Sequence, residues 1–404
     1  MAGTFLFYDS RGRAQNGISL LARTPSASHT PDVRLSAFLK MNRANRAATL
    51  ADVGREAGVS AMAASAVLNG ARTSSRIAPE TRERILAAAA KLRYRPNATA
   101  RALANRRMNT IGVAGTIDGE SVNHYLLEIL SGILSSASTH QQNTTVFTLH
   151  DWERDAERLH DFCDGRIDGL ILLAPMLTRA QARLLPSHTP FVSLHGNTPM
   201  PHVLNIESDE EHGAYLAVRA LVQKGHRRIL HFAGSPGRIG AERRIAGFKR
   251  ALSAAGFPFD ESLIVTTGFT TEEGRMVMRR WLSAHTGQPL PTAVFCANDG
   301  VAIGCTEALA EVGIRVPEDI SVIGFDDTFA ARSTAPQLTT IRQPLRAMGS
   351  RAVDLLLERI GASGAPQLPE DVPPVVFPVE LIERASTSVP PSTDRLIPAA
   401  SVRA

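Results

Sequence analysis

The sequence predicts a multidomain chain with a small all-α head, a short hinge helix and a two-lobed α/β body built on two doubly wound parallel sheets. The head is predicted because apolar residues between Thr49 and Leu92 recur at helical spacing. The body is predicted because buried-type strands alternate with helices over residues 109–388, the pattern of parallel sheets covered by helices on both faces. This stretch is long for one open sheet, so we expect two lobes.

The composition excludes several classes of protein. With 404 residues, 21% charged and 44% hydrophobic, the chain should be a soluble globular protein of two or three domains. Its three cysteines are far apart in sequence and form no Cys-x-x-Cys, so we expect no disulfide framework, no metal site and a reducing cytoplasm. No apolar run is long enough to span a membrane, and the first 40 residues have no signal-peptide core.

Charge is distributed unevenly along the chain. Residues 41–110 contain 13 Lys and Arg against 4 Asp and Glu, whereas residues 111–404 contain 26 against 33. A basic head on an acidic body indicates that the head, and not the body, meets a polyanion. Charge alone is equally consistent with a solvated basic surface.

Start and stop signals predict three helices in the head. Thr49-Leu-Ala-Asp52 has the form of a capping box. Gly58-Val59 then turns the chain, and Ser60 is a good N-cap for a second helix through Leu68. Pro79 suits the first turn of a third helix over Glu80–Leu92.

A further short helix is predicted after the head. Pro96 can open a helix, and Asn97–Asn105 is an Ala-rich stretch of about two turns. Isolated helices of this length are marginal in water, so we expect it to order only when something packs against it.

The sequence pattern of the body predicts seven buried-type strands, at Thr110–Ala114, Thr145–Leu149, Ile167–Leu173, Pro190–Leu194, Ile229–Ala233, Ala293–Cys296 and Ser321–Phe325. Helical stretches lie between them, of which Glu210–Lys224 has the clearest apolar spacing. Sheets of this kind bind ligands beyond the carboxyl ends of their strands.

Several motifs together resemble those of one family. Thr49–Gly70 (TLADVGREAGVSAMAASAVLNG) and Ile77–Ala104 closely resemble the DNA-binding head of the lactose/galactose repressor (LacI/GalR) family. The resemblance continues, in family order, through NTIGV from Asn109, KGHRRILHFAG from Lys224, RIAGF from Arg244, VFCANDGVAIG from Val294, VIGFDD from Val322, LTTIRQP from Leu338 and ELIERAST from Glu380. Each motif alone is weak, but the ordered set is specific.

This resemblance implies a helix-turn-helix head, a hinge and a periplasmic-binding-protein-like body, with boundaries that we place at residues 47–94, 95–108 and 109–388. The N-lobe would take about 109–208 and 344–370, and the C-lobe about 209–343 and 371–388. Residues 1–46 are expected to be a disordered extension, with translation starting at Met41, and residues 389–404 a loose tail.

The resemblance also implies how the head binds DNA. The second helix would enter the major groove, and the hinge helix would order on DNA with Leu103 wedged into the minor groove. Simple packing of Leu103 onto the body is the alternative, but Ala100 and Pro96-Asn97 also stand at matching positions. Residues matching family phosphate contacts are Thr49, Ser60, Ser65, Asn69, Tyr94 and Asn97. For Thr49 and Ser60, helix capping is a role that can coexist with phosphate binding.

The predicted recognition helix departs from the family. Ala61 and Met62 match the base-reading positions, and Ala66 stands where the family usually carries an arginine. Alanine offers a base edge only apolar contact. The following loop is longer than usual and contains Arg72 and Arg76, so we hypothesise that a lost DNA contact moves to this loop.

In the body, Arg244 and Asp326 match family effector-binding positions, and Asn298 and Gln343 match less general ones. An arginine fork and a carboxylate can hold adjacent hydroxyls from opposite sides. Structural alternatives are open for all four: a salt bridge for Arg244, loop capping for Asp326, an N-cap for Asn298 and a hinge role for Gln343.

The resemblance thus implies a ligand-responsive transcription regulator, expected to be a repressor of a sugar or related catabolic operon. Its partners would be double-stranded operator DNA, a small-molecule effector and a second copy of itself, with no cofactor, metal or membrane. A solute-binding protein would need a signal peptide and no head. An enzyme would need a catalytic set, and Gly234–Gly240 fits neither a phosphate loop nor a Rossmann fingerprint. A sensor-type member with weak or altered operator specificity stays open.

Overall fold

The computed structural model describes residues 7–8, 14–15, 47–69, 77–95, 107–116, 123–362, 368–393 and 395–398. The chain divides into two compact units, residues 1–97 and 98–404, which are described separately. The predicted contacts Arg72, Arg76, Asn97, Ala100 and Leu103 lie outside the described residues.

The first unit contains the three predicted helices, α1 (Leu50–Ala57), α2 (Ala61–Asn69) and α3 (Pro79–Lys91). They enclose a small core of six buried residues: Val53, Ala57, Ala64, Ile85, Ala88 and Ala89. Two short strands, β1 (Phe7–Tyr8) and β2 (Ala14–Gln15), pair antiparallel. The expectation of no regular structure before residue 47 is therefore wrong at these four residues.

The predicted capping box at the start of α1 is present. The Thr49 hydroxyl accepts a hydrogen bond from the Asp52 amide at 3.3 Å, and the Asp52 carboxylate accepts one from the Thr49 amide at 2.9 Å. Gly58 ends the helix with a φ of 68°, a conformation that favours glycine. The hydroxyl of Ser60 caps α2 through the Ala63 amide at 3.2 Å.

We expect Thr49→Ala to destabilise the head by about 1 kcal/mol, because the amide at the start of α1 loses its side-chain acceptor. Urea unfolding of the head, followed by circular dichroism, measures the loss. Arg55→Ala is the control on the same helix, because its pair with Asp52 is exposed and should contribute less than about 0.5 kcal/mol. Equal losses for the two variants would contradict a capping role.

The second unit contains two sheets, as predicted, but each has six strands, so the seven predicted strands are joined by five that were not predicted. The N-lobe sheet has the order β4-β3-β5-β6-β7-β13 and is entirely parallel. Its strands are β3 (Thr110–Thr116), β4 (Asn143–Leu149), β5 (Gly169–Leu173), β6 (Phe191–Leu194), β7 (Leu204–Ser208) and β13 (Val375–Phe377). Its helices are α4 (His124–Thr139), α5 (Trp152–Asp155), α6 (Arg158–Phe162), α7 (Arg179–Ala182) and α13 (Leu345–Gly361).

The C-lobe sheet has the order β9-β8-β10-β11-β12-β14, with β14 antiparallel to β12 at one edge. Its strands are β8 (Ile229–Phe232), β9 (Ile264–Val265), β10 (Ala293–Cys296), β11 (Ser321–Asp326), β12 (Thr339–Arg342) and β14 (Glu380–Ile382). Its helices are α8 (Glu210–Gln223), α9 (Ile239–Ala254), α10 (Thr271–Ala284), α11 (Asp299–Glu311) and α12 (Phe329–Ser333), with a 3-10 turn at Glu261–Leu263.

Both faces of each sheet are buried, which makes the sheets doubly wound. On β5, Ile171 and Leu173 join the core under α4 and α13, whereas Leu170 and Leu172 join the core on the opposite face. The alternation follows from the two-residue period of a strand. In the C-lobe, α10 and α11 cover one face and α8 and α9 the other.

The structure corrects two predicted boundaries. The chain returns to the C-lobe between β13 and β14, because Val375–Phe377 pairs with β7 of the N-lobe; the predicted crossing at residue 371 is therefore too early. The predicted loose tail is wrong at residues 395–398. Ile397 is 2% exposed in the C-lobe core, and its amide donates to the Gln288 carbonyl at 2.9 Å.

Candidate effector cleft and DNA-binding surface

A cleft of about 180 Å³ lies between the two lobes of the body. It opens where strands of both sheets end, beside Ala174 after β5 and His195 after β6 in the N-lobe, and beside Asn298 and Asp326 in the C-lobe. This is the position that parallel sheets predict for a ligand. Its size suits a compact ligand, because pockets for drug-sized molecules are about 300–1,000 Å³.

Arg244 lines this cleft from α9 but is held by protein groups. Its Nη2 donates to Glu210 Oε1 at 2.8 Å and its Nη1 to the Ala297 carbonyl at 2.8 Å. The guanidinium also stacks on Phe325 at 4.2 Å from the ring centre. The structural alternative for Arg244, a buried salt bridge, is therefore present, and only Nε has no partner.

Asp326 and Gln343 form a hydrogen-bonded link at the hinge between the lobes. Gln343 Nε2 donates to Asp326 Oδ1 at 2.6 Å, and Ser208, at the end of β7, donates to Gln343 Oε1. Asp326 has a φ of 114°, a strained conformation for a residue with a side chain. Burial raises the pKa of its carboxyl well above the usual range, which favours the uncharged acid. Asp326 lines the cleft, whereas Gln343 is placed as a hinge residue.

Asn298 lines the cleft while capping α11. Its Oδ1 accepts from the Val301 amide at 2.8 Å and its Nδ2 donates to the Phe269 carbonyl at 2.8 Å. Asp299 beside it is fully engaged by Thr328 and Thr340, and burial raises its pKa to about 7. The N-cap alternative thus accounts for the Asn298 oxygen, and the Phe269 carbonyl engages its nitrogen.

Most other residues of the cleft were not predicted from the sequence, among them Tyr125, His195, Asn197 and Arg238. Tyr125 and His195 share a hydrogen bond of 2.5 Å between the phenol oxygen and Nδ1. The sequence signal for this group was the glycine-rich segment Gly234–Gly240, which contains Arg238.

Asn197 joins the two lobes directly. Its Nδ2 donates to the Gly237 carbonyl at 2.9 Å, and its Oδ1 accepts from the Ile239 amide, the first of α9, at 2.7 Å. Both polar ends of one N-lobe side chain therefore hold the C-lobe loop that precedes α9.

In the head, α2 presents a surface with few polar groups. Ala61 and Met62 are exposed, and Met62 is 77% exposed despite being apolar. Ala66 is buried within the head, so the residue standing in place of the family arginine faces inward. Asn69 donates to the Ser65 hydroxyl at 3.1 Å.

Comparisons with known proteins agree with this architecture. Residues 49–97 match the family model of bacterial regulatory proteins of the lacI family, and residues 218–387 match the periplasmic binding protein-like domain. The HTH-type transcriptional repressor PurR of Vibrio atlanticus (strain LGP32) is 34% identical over 318 residues, which is 78% of this chain and 92% of PurR. The chain belongs to the lacI family of bacterial regulatory proteins.

Solved structures of lacI-family relatives share the fold of this lacI-family protein. The lac repressor dimer bound to operator and the anti-inducer ONPF matches with a TM-score of 0.72 and 30% identity, over 85% of this chain and all of that one. The transcriptional regulator CelR in complex with cellobiose matches with a TM-score of 0.60 and 30% identity, over 84% of this chain and 99% of that one. The predicted fold class and the predicted function, a ligand-responsive DNA-binding regulator, are thereby confirmed.

Within the described parts of this lacI-family chain, no helix is both long and apolar enough to cross a membrane. Among the same residues, no group of three His, Cys, Asp or Glu side chains is arranged to hold a metal ion.

Proposed function

We propose that this lacI-family protein is a cytoplasmic repressor without enzymatic activity, acting as a homodimer on the operator of a sugar or related catabolic operon. The observation that carries the proposal is the cleft between the lobes, which is lined by polar side chains and crossed by hydrogen bonds that the N-lobe residues Asn197 and Ser208 make with the C-lobe. A ligand that fits this cleft changes the free energy of lobe closure and, through the hinge helix, operator affinity. Such coupling is typically about 1–3 kcal/mol.

A homodimer is proposed because the lac repressor relative is a dimer on its operator and because apolar side chains are exposed on the body. Leu127 and Leu134 on α4 are 51% and 49% exposed, and Phe329 on α12 is 68% exposed. Light scattering of the full chain tests this: we expect the mass of a dimer, and a monomer or tetramer contradicts it.

A mobility-shift assay with the promoter region of the protein's own gene tests DNA binding. We expect a discrete complex that resists excess unrelated DNA and whose stability changes when a cleft ligand is added. The surface of α2 favours a second candidate, a sensor-type member with weak specificity, because Ala61 offers a base edge no hydrogen bond. Equal competition by unrelated DNA would support that candidate.

We expect Arg72→Ala/Arg76→Ala to weaken operator binding and to flatten its dependence on salt, because each lost phosphate contact reduces the number of counterions released. Fluorescence anisotropy with a labelled operator, from about 50 to 200 mM salt, measures both effects. Arg55→Ala/Arg93→Ala is a control with the same change of charge within the head. An unchanged salt slope in the loop variant would contradict the hypothesis that DNA contacts move to this loop.

A further inference from the structure

The cleft is lined by more arginines than carboxylates that pair with them. Three arginines line it, Arg238, Arg243 and Arg244, together with the carboxylates of Glu207 and Glu210. Glu210 pairs with Arg244 at 2.8 Å and lies 3.7 Å from Arg243, whose second terminal nitrogen pairs with Glu207 at 3.1 Å. Two positive and two negative charges are therefore neutralised within the protein.

The remaining acid in the cleft, Asp326, forms no ion pair with any of the three arginines, which pair among the described residues only with Glu207 and Glu210. Asp326 is 4% exposed, and burial raises the pKa of its carboxyl well above the usual range, which favours the uncharged form. Its Oδ1 is already occupied by the Gln343 amide at 2.6 Å. Asp326 can therefore bind a hydroxyl group of a ligand, but it does not balance an arginine.

Arg238 is the arginine that stays unbalanced. Among the described residues no carboxylate lies within ion-pair distance of its guanidinium, and its hydrogen bond is a long one of 3.4 Å from Nη1 to the Ala174 carbonyl. A guanidinium carries five N–H donors, so most of those on Arg238 have no acceptor among the residues that the structure describes. Burial disfavours its charged form and lowers its pKa, an effect that the charge of Asp151 opposes only in part.

Groups that surround Arg238 can complete a site for a polar molecule. Asn197 holds the carbonyl and amide on either side of Arg238 through Gly237 and Ile239, which fixes the backbone at this residue. Tyr125 lines the same cleft from the N-lobe, and burial raises its pKa well above the usual range, so its phenol is uncharged. An anion facing Arg238 would thus meet neutral polar groups and no opposing free carboxylate among the described residues of the cleft.

We propose that the effector is a compact molecule with one anionic group, a carboxylate or a phosphate, which Arg238 binds, and with hydroxyl groups that face Asp326. Sugar acids and sugar phosphates have this chemistry. This inference rests on the proposed function only in taking the cleft as the effector site. Arg238, rather than Arg244, is then the residue that determines ligand class, because the charge of Arg244 is already paired with Glu210.

Ligand pairs that differ only in charge test the proposal. Both tryptophans, Trp152 and Trp281, lie in the body, so tryptophan fluorescence reports its thermal unfolding without a contribution from the head. The probes are glucose with glucuronate and glucose 6-phosphate, galactose with galacturonate, and inorganic phosphate against chloride at equal ionic strength. We expect at least one anionic probe to raise the melting temperature more than its neutral or chloride counterpart, with the two organic anion classes separating carboxylate from phosphate.

Arg238→Gln should weaken binding of that probe at least about tenfold, since a hydrogen bond to a charged group is lost. Arg250→Gln is the matched control, because Arg250 lies on α9, the helix that begins directly after Arg238, but is exposed and pairs with Glu211 away from the cleft. It should bind the anion as the wild type does. Circular dichroism at 25 °C checks that both variants are folded.

Three results would overturn the proposal: no anionic probe exceeding its counterpart, an equal response from Arg238→Gln and the wild type, or an equal loss in Arg250→Gln. The mobility-shift assay without ligand is scored separately. Loss of operator binding in the wild type contradicts the proposed function, whereas an intact operator complex with no anion preference contradicts this inference alone.

Discussion

Replacing Glu210 by Gln will destabilise the body by about 3–5 kcal/mol, the usual cost of removing one partner from a buried ion pair. Glu210 and Arg244 are 4% and 6% exposed, and their side chains meet at 2.8 Å. Glutamine keeps the shape and can still accept a hydrogen bond, so the loss isolates the uncompensated charge on Arg244. The Ala297 carbonyl and the Phe325 ring remain in place beside the guanidinium but carry no negative charge.

Urea unfolding followed by tryptophan fluorescence measures this effect, because both tryptophans belong to the body. Glu261→Gln is the matched control. Glu261 pairs with Lys249 at 3.1 Å, but both side chains are exposed, so this substitution should cost less than about 0.5 kcal/mol. If Glu210→Gln costs no more than the control, the Arg244 charge is solvated or compensated from elsewhere.

A large effect on operator binding is expected from Ile85→Ala in the head. Ile85 is fully buried at the centre of a core that otherwise consists mainly of alanines and one valine. Removing its side chain costs about 2–5 kcal/mol, and a domain this small has only a few kcal/mol of stability to lose. We therefore expect the head to unfold and operator binding to be lost.

The neighbouring residue supplies the control for this prediction. Leu86 follows on the same helix, α3, and is 49% exposed, so Leu86→Ala should keep operator affinity within a few-fold of the wild type. Fluorescence anisotropy measures binding, and tryptophan fluorescence should show an unchanged melting temperature of the body in both variants. Wild-type affinity in Ile85→Ala would mean that contacts outside this core hold the head together.

Local features of this protein were determined by the sequence. The capping box of Thr49 and Asp52, the turn at Gly58 and the cap at Ser60 are present as predicted, because each depends on hydrogen bonds between residues two to four apart. The buried strands of the sheets were found for a related reason. Apolar runs such as Gly169–Leu173 lie at the centre of a sheet, where both faces select apolar residues.

Some strands at or next to a sheet edge, and the end of the chain, were less predictable. Strand β7 contains Asn205 and Glu207, and β13 and β14 are three residues each, so none has a clear apolar pattern. They become strands only because an existing sheet offers unpaired backbone groups. Ile397 joins the C-lobe core for the same reason: a single apolar residue in a proline-rich tail becomes buried only where a surface fits it.

Some features of the cleft could be predicted from the sequence, and others depended on the tertiary structure. Motif positions pointed to Arg244, Asn298, Asp326 and Gln343, and the structure brings all four to the cleft or to its hinge. Charge balance could not be predicted from those motifs. Glu210 lies 34 residues from Arg244, and Asn197 lies 42 residues from the amide whose hydrogen bond it accepts.

The sequence by itself determined helices, caps and central strands, because their hydrogen bonds and apolar patterns are set by residues that lie close together in the chain. Only the tertiary structure decided which arginine of the cleft has a carboxylate partner among the described residues and which has none, because an ion pair depends on distances between side chains that the chain order does not contain.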